Sequence, residues 1–267
     1  RRRHTRLQGD WSSDVCSSDI GGYGNLFGIG GLFTFNKIWR FQFELIKNFN
    51  KEPEANWIES NDSFMDKTVE LDGEKFKGSA SYFRIARNTE NWSTYLFYRA
   101  ISPGYRADVG FVPRINRKWT TFYQGYRNFF EKDYLQELSV SIKGDLTYNY
   151  DNKLKSKNID FDITAKTFAK TLVMYNYDIN PFRNFRGIDF KNVGKSEITI
   201  MGFPNEDLSF MLKYIFGREI AFNEDIPEVG KELSSFFRVS YKIGENLNLT
   251  SSINYSRLKS RSEEHTS

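Results

Sequence analysis

Apolar and polar residues alternate with period two along most of this 267-residue chain, the spacing of a strand whose successive side chains point to opposite faces. Trp39, Phe41, Phe43 and Leu45 alternate with Arg40, Gln42 and Glu44. Leu138, Val140, Ile142, Leu146 and Tyr148 alternate with Ser139, Ser141, Lys143, Asp145 and Thr147, and Ile159, Phe161, Ile163 and Ala165 with Asp160, Asp162, Thr164 and Lys166. The same pattern returns from Leu233 to Ile243 and from Leu247 to Tyr255. Further runs lie at 26–35, 76–86, 92–101, 118–127, 172–179, 197–203 and 208–217, which predicts about twelve strands. The 3.6-residue period of a helix does not occur.

The connections sharpen this picture. Short turns are predicted at Asn36-Lys37, Asn88–Asn91, Glu131–Asp133, Pro204–Asp207 and Gly244–Asn246. Longer connections are expected at 49–75, 102–117, 181–194 and 223–231, and another starting near 151. Tight turns on one rim and long loops on the other are the habit of transmembrane barrels, whose tilted strands of roughly 9 to 13 residues cross a bilayer. The predicted fold is all-β: an antiparallel up-and-down transmembrane β-barrel, with about twelve strands present in a truncated fragment that need not be the whole barrel. A dozen strands enclose a lumen too wide for side chains to fill. The polar face, with Lys143, Asp145, Asp160, Asp162, Lys166, Lys213, Arg238 and Lys242, is therefore expected to line a wet interior, and the apolar face to meet lipid. Trp39, Trp92, Trp119, Tyr126, Tyr150, Tyr177, Phe203 and Tyr255 are candidates for aromatic girdles.

One loop stands out from this regularity. Pro103 and Gly104 interrupt the alternation, and the order Ser102-Pro103-Gly104-Tyr105-Arg106, then Asp108, then Gly110-Phe111-Val112-Pro113-Arg114, has the look of a signature. It resembles the barrel domain of an uncharacterised bacterial outer-membrane family that commonly follows a family 9 carbohydrate-binding domain. The likeness covers this loop and its flanking strands; elsewhere it is one of pattern. It implies a bacterial outer-membrane location and a part in glycan binding or uptake. The implied partners are outer-membrane lipid, an oligosaccharide, and the barrel-assembly machinery during insertion.

Two stretches do not fit the pattern. Trp11–Asp19 and Arg261–Ser267 resemble translated sequencing adapters, so residues 1–19 and 261–267 are expected to be non-native tails around a barrel domain spanning 20–260. His4, His265 and Cys16, the chain's histidines and cysteine, fall in these tails. Removing the five basic and five acidic residues of the tails from 38 and 34 leaves 33 and 29, a balance still of +4. With the signs interspersed, this is not the clustered charge of a nucleic-acid binder, and no nucleic-acid partner is expected. Aromatic residues make up 17% of the chain, which suits strands.

Without histidine or cysteine in the expected domain, thiolate and imidazole metal sites and His-activated nucleophiles fall away, and neither metal nor cofactor is expected. The glycines around Gly21–Gly24 and Gly28–Gly31 are not followed by a helix and read as small residues in a strand. No catalytic residue is assigned. An alternative is a carbohydrate-active hydrolase using lumen carboxylates such as Asp160, Asp162 or Asp145; a structural or adhesion barrel is another. In the signature loop, Tyr105, Arg106, Asp108, Gly110, Phe111, Arg114 and Arg117 are the candidate residues, either for ligand contact or for a latch that pins the loop, and Gly104 and Gly110 are expected to need glycine.

Overall fold

The computed structural model describes residues 21–55, 63–64, 67–68, 71–106, 114–132, 134–168, 170–222, 227–244 and 246–259. It is all-β, and the described residues contain no helix. The strands are β1 (Tyr23–Phe35), β2 (Trp39–Lys51), β3 (Glu54–Ala55), β4 (Ser63–Phe64), β5 (Lys67–Thr68), β6 (Leu71–Asp72), β7 (Lys75–Asn88) and β8 (Trp92–Ile101). They continue with β9 (Arg117–Lys132), β10 (Leu135–Tyr148), β11 (Leu154–Thr167), β12 (Leu172–Phe185), β13 (Ile188–Gly202), β14 (Leu208–Ala221), β15 (Glu228–Ile243) and β16 (Leu247–Lys259).

Twelve of these form one sheet in the order β1-β2-β7-β8-β9-β10-β11-β12-β13-β14-β15-β16, an antiparallel up-and-down meander with β1 and β16 at its two ends. The sheet is not closed on itself among the described strands. The four short strands form a separate arm between β2 and β7, with β3 paired to β6 and β4 to β5. The tails 1–19 and 261–267 lie outside the described residues.

By contact the described chain divides into two compact units. The first holds the residues up to Arg87, Tyr95–Thr121 and Thr147–Lys153; the second holds Asn88–Thr94, Phe122–Leu146 and the residues from Leu154 onward. In the first unit the register places Phe33 against Phe41 and Phe43 against Phe83, so one face is a ladder of rings. Phe33, Phe41 and Phe43 stack with centroids 6.0 to 6.3 Å apart. In the second unit Leu212 lies between Ile200 and Phe237, while its neighbour Lys213 lies between Thr199 and Phe236 on the opposite face.

Burial runs against the habit of a soluble protein. Ile85, at 44% exposed, and Leu212, at 42%, typify an apolar face left open on inner strands of both units, while on β1 and β16 nearly every residue is exposed. The polar face is the more protected: the carboxylates of Asp160 and Glu232 are only 16% and 17% exposed. Few apolar residues are fully buried, and a small cluster of them, Phe190, Val193 and Ile220 with Phe185, Phe222 and Val229, packs in the second unit.

Besides the connection expected to be long from near 151, which is only residues 149–153 between β10 and β11, two connections differ from the alternation of short and long. The segment 181–194, expected as a long connection, is a hairpin: β12 runs on to Phe185 and β13 starts at Ile188. Arg186 and Gly187, with φ of 49° and 81°, make the two-residue turn whose twist suits a hairpin. Pro181 has no N–H to give, and opposite it Asn192 adopts φ of 52°, so this one pair drops out of the register between Asn180↔Val193 and Phe182↔Lys191. In the second case β15 starts at Glu228, inside the segment expected to be loop. The turn-side strands also run on: β9 extends to Lys132 rather than Arg127.

Candidate functional site: a loop docked on the polar face

Ser102–Arg106 folds back over β2 and β7, and the sequence explains why it lies so close. The side chain of Ser102 accepts from the backbone N–H of Ser79 at 2.7 Å, and the Ser102 N–H donates to the Ser79 carbonyl at 2.9 Å. Tyr105 N–H then donates to the Ser102 carbonyl at 3.2 Å, closing a turn that Pro103 and Gly104 favour. Tyr105 is buried. Burial raises its phenol above the usual value, Glu44 pushes in the same direction and Arg99 opposes. The neutral phenol is thus the form that fits here.

Arg106 is the anchor. Its guanidinium donates to Glu52 and lies over Phe76, 4.8 Å from the ring centroid. Its carbonyl accepts from the side-chain amides of Asn48 at 2.5 Å and Asn50 at 3.4 Å. Asn48 is 1% exposed and the Glu52 side chain 4%, and the loop gives partners to the Asn48 amide N–H and to one Glu52 oxygen, while Asn48 Oδ1 and Glu52 Oε2 are buried without a hydrogen bond. Glu52 also meets Asp72 and Glu74, with carboxylate oxygens of the three within 4.8 Å of one another. The chain supplies its own cations to this cluster, Arg106 on Glu52 and Lys67 at 3.8 Å from Glu74. Sequence reading did not bring these acids together, since they lie on either side of the arm between β2 and β7.

Glycine is required where the backbones touch. A Cβ on Gly78 would fall on the backbone of Tyr105, and one on Gly104 would lie 2.5 Å from the Lys77 carbonyl oxygen. Gly104 is needed for this approach, not for a left-handed conformation; Gly110 lies outside the described residues. Alanine at Gly78 is expected to undock the loop while β2 and β7 stay paired. Hydrogen exchange checks it: the Ser102 and Tyr105 amides should lose protection by at least about tenfold, since their hydrogen bonds then open independently of the sheet.

The remaining candidates separate. Arg117, at the start of β9, donates to Thr147 at 3.4 Å and stacks on Trp119 at 4.5 Å, away from the Arg106 anchor. Arg114 is exposed. Asp108 and Phe111 lie outside the described residues.

In the second unit the polar-face acids are engaged by neighbours. Lys143 bridges Asp145 at 2.8 Å and Asp160 at 3.1 Å. Asp162 accepts from Asn176 at 2.8 Å and Ser141 at 3.3 Å. Lys195 bridges Glu219 at 2.7 Å and Glu232 at 3.6 Å, and Lys213 meets Glu197 at 2.8 Å. Such mutual pairing leaves Asp160 and Asp162 as partners of a lysine and an amide. Of the girdle candidates, Trp39, Trp92, Tyr126, Tyr177, Phe203 and Tyr255 are exposed, with Trp92 and Tyr126 in ring contact at 4.7 Å. Trp119 and Tyr150 are not: each lies under a cation, Trp119 between Arg99 and Arg117 and Tyr150 beneath Lys118.

No protein-family model matches this chain, and no solved structure matches it. A stretch of 143 residues is 30% identical to apolipophorins of Locusta migratoria, covering 49% of this chain and 4% of that protein. The chain thus spans a small fraction of that relative's length, and the match assigns no family.

Proposed function

We propose that this chain is the transmembrane β-barrel segment of a bacterial outer-membrane protein that captures or passes glycans and has no catalysis of its own. The observation that carries the reading is the inverted exposure of the sheet: large apolar side chains stand open while charged groups are shielded and paired. Water makes that arrangement costly, at about 25 cal/mol for each Å² of apolar surface left uncovered. Hydrocarbon reverses the sign, because the apolar face then meets acyl chains and the polar face encloses water. No helix of the described residues is long and apolar enough to cross a membrane, which is silent on strands. In a bilayer the outer edges of β1 and β16 must be paired, since an open edge costs several kcal/mol per unsatisfied group.

Outer-membrane lipid and the barrel-assembly machinery are the partners this reading requires. The glycan part rests on the resemblance of the 102–114 loop to a family joined to carbohydrate-binding domains. A hydrolase is not favoured, given the engagement of Asp160 and Asp162 by Lys143, Asn176 and Ser141.

Folding the protein into lipid vesicles tests the proposal. A barrel is expected to migrate differently on a gel before and after boiling, and vesicles carrying it should pass oligosaccharides. Identical migration in both lanes, with the protein recovered in the aqueous fraction, would overturn it.

A further inference from the structure

Within the first unit, the polar face of β7, β8 and the start of β9 carries guanidinium groups laid on aromatic rings. Arg84 lies over Tyr95 with 4.9 Å between the guanidinium carbon and the ring centroid, and Arg99 over Trp119 at 5.3 Å. Arg117 covers Trp119 at 4.5 Å. Phe97 touches both Tyr82, at 5.3 Å, and Trp119, at 5.4 Å, so the rings form a continuous bed. The second unit pairs Lys143, Lys195 and Lys213 with carboxylates. Here, among the described residues, neither Arg84 nor Arg99 has a carboxylate within ion-pair distance. Glu44, which faces Tyr82 across the β2–β7 pair, is the acid of this stretch, and its field falls on Tyr105.

Ring stacking holds a guanidinium flat and leaves its N–H edges unspent. Those edges match a planar carboxylate or a sulfate in two-pronged fashion. The water-facing bed of Tyr and Phe beside them offers apolar surface to sugar rings. We propose that this face is an oxyanion-binding lane in which Arg84 and Arg99 take the acidic groups of a charged oligosaccharide, such as an oligouronate. This names the substrate class for the glycan role above and rests on that reading. Neutral oligosaccharides lack the group that the arginines recognise.

The test uses the full chain, folded in detergent, with binding read from tryptophan fluorescence as trigalacturonate or maltotriose is added. Trigalacturonate is expected to bind saturably, more weakly as salt is raised. In an Arg84→Gln/Arg99→Gln double variant the affinity should fall by at least about tenfold, the loss of one charge-assisted contact or more. Gel migration confirms that the variant is folded; if it is not, Arg84→Lys/Arg99→Lys replaces it, keeping charge without the planar fork, and the same tenfold loss is expected. Unchanged affinity in the folded variant, or equal binding of maltotriose, overturns the lane. Failure of the membrane reading shows elsewhere, as a lack of vesicle insertion by the unmodified protein. Passage of maltotriose through vesicles without trigalacturonate binding would sink the lane and leave the barrel standing.

Discussion

Arginine in place of Leu212 is expected to destabilise the vesicle-inserted form of this protein. Leu212 is 42% exposed, in the interior of β14, between Ile200 on one side and Phe237 on the other. If that face meets hydrocarbon, a guanidinium there costs about 2–4 kcal/mol near the bilayer midplane. Against a total stability of about 5–15 kcal/mol, that is a large share, and the denaturant needed to unfold the inserted protein should fall accordingly. Ser240→Arg is the control: Ser240 pairs with Thr250 at 3.0 Å on the face shared with Arg238, where a charge stays hydrated. The gel-shift assay after folding into vesicles, run across a denaturant series, should show earlier loss for Leu212→Arg and retention for Ser240→Arg. A sheet living in water predicts otherwise, because a leucine already open to solvent can become arginine within about 0.5 kcal/mol.

The second large effect belongs to the docked loop. Arg106→Ala removes the guanidinium from a Glu52 side chain that is 4% exposed and has Asp72 and Glu74 beside it. A buried carboxylate left without its cation destabilises its surroundings by about 3–5 kcal/mol. We expect the loop to undock, with the Ser102 and Tyr105 amides exchanging freely and the thermal midpoint falling. Removing the charge as well, in Arg106→Ala/Glu52→Gln, should recover a large share of the loss, because a neutral amide tolerates the site better. Equal losses in the single and double variants would mean that Arg106 acts through its stack on Phe76 rather than through the ion pair.

Undocking and insertion probe different interactions and should be separable. Arg106 works inside the first unit, on groups of β2, β7 and the 102–106 loop. Leu212 sits in the second unit, in a regular stretch of β13, β14 and β15. Their named partners are different residues, so their effects on stability should add.

The strands were legible because alternation is a property of one strand at a time. Each residue from Trp39 to Leu45 declares its face by its neighbours alone, and the register with β1 and β7 agrees with that assignment. The connection at 181–194 misled for an equally local reason. Proline normally ends a central strand, yet here the ladder skips Pro181 and an Arg186-Gly187 turn carries the chain back within two residues. The signature loop was found for its composition, but composition did not say which of its charges would be partnered. Arg106 turned out to be anchored, Arg114 exposed, and Arg117 engaged by Trp119 and Thr147.

Sequence alone determined an all-β chain of about a dozen antiparallel strands, each with an apolar and a polar face, because side-chain direction follows from backbone geometry every second residue. Tertiary structure decided what meets what. Asn48 and Arg106 are 58 residues apart in the chain, and the burial of Glu52, the approach of Gly78 to Tyr105 and the laying of Arg99 on Trp119 all arise only when separate strands align. No local period encodes such pairings, since each depends on the register of neighbouring strands and on the space their side chains leave.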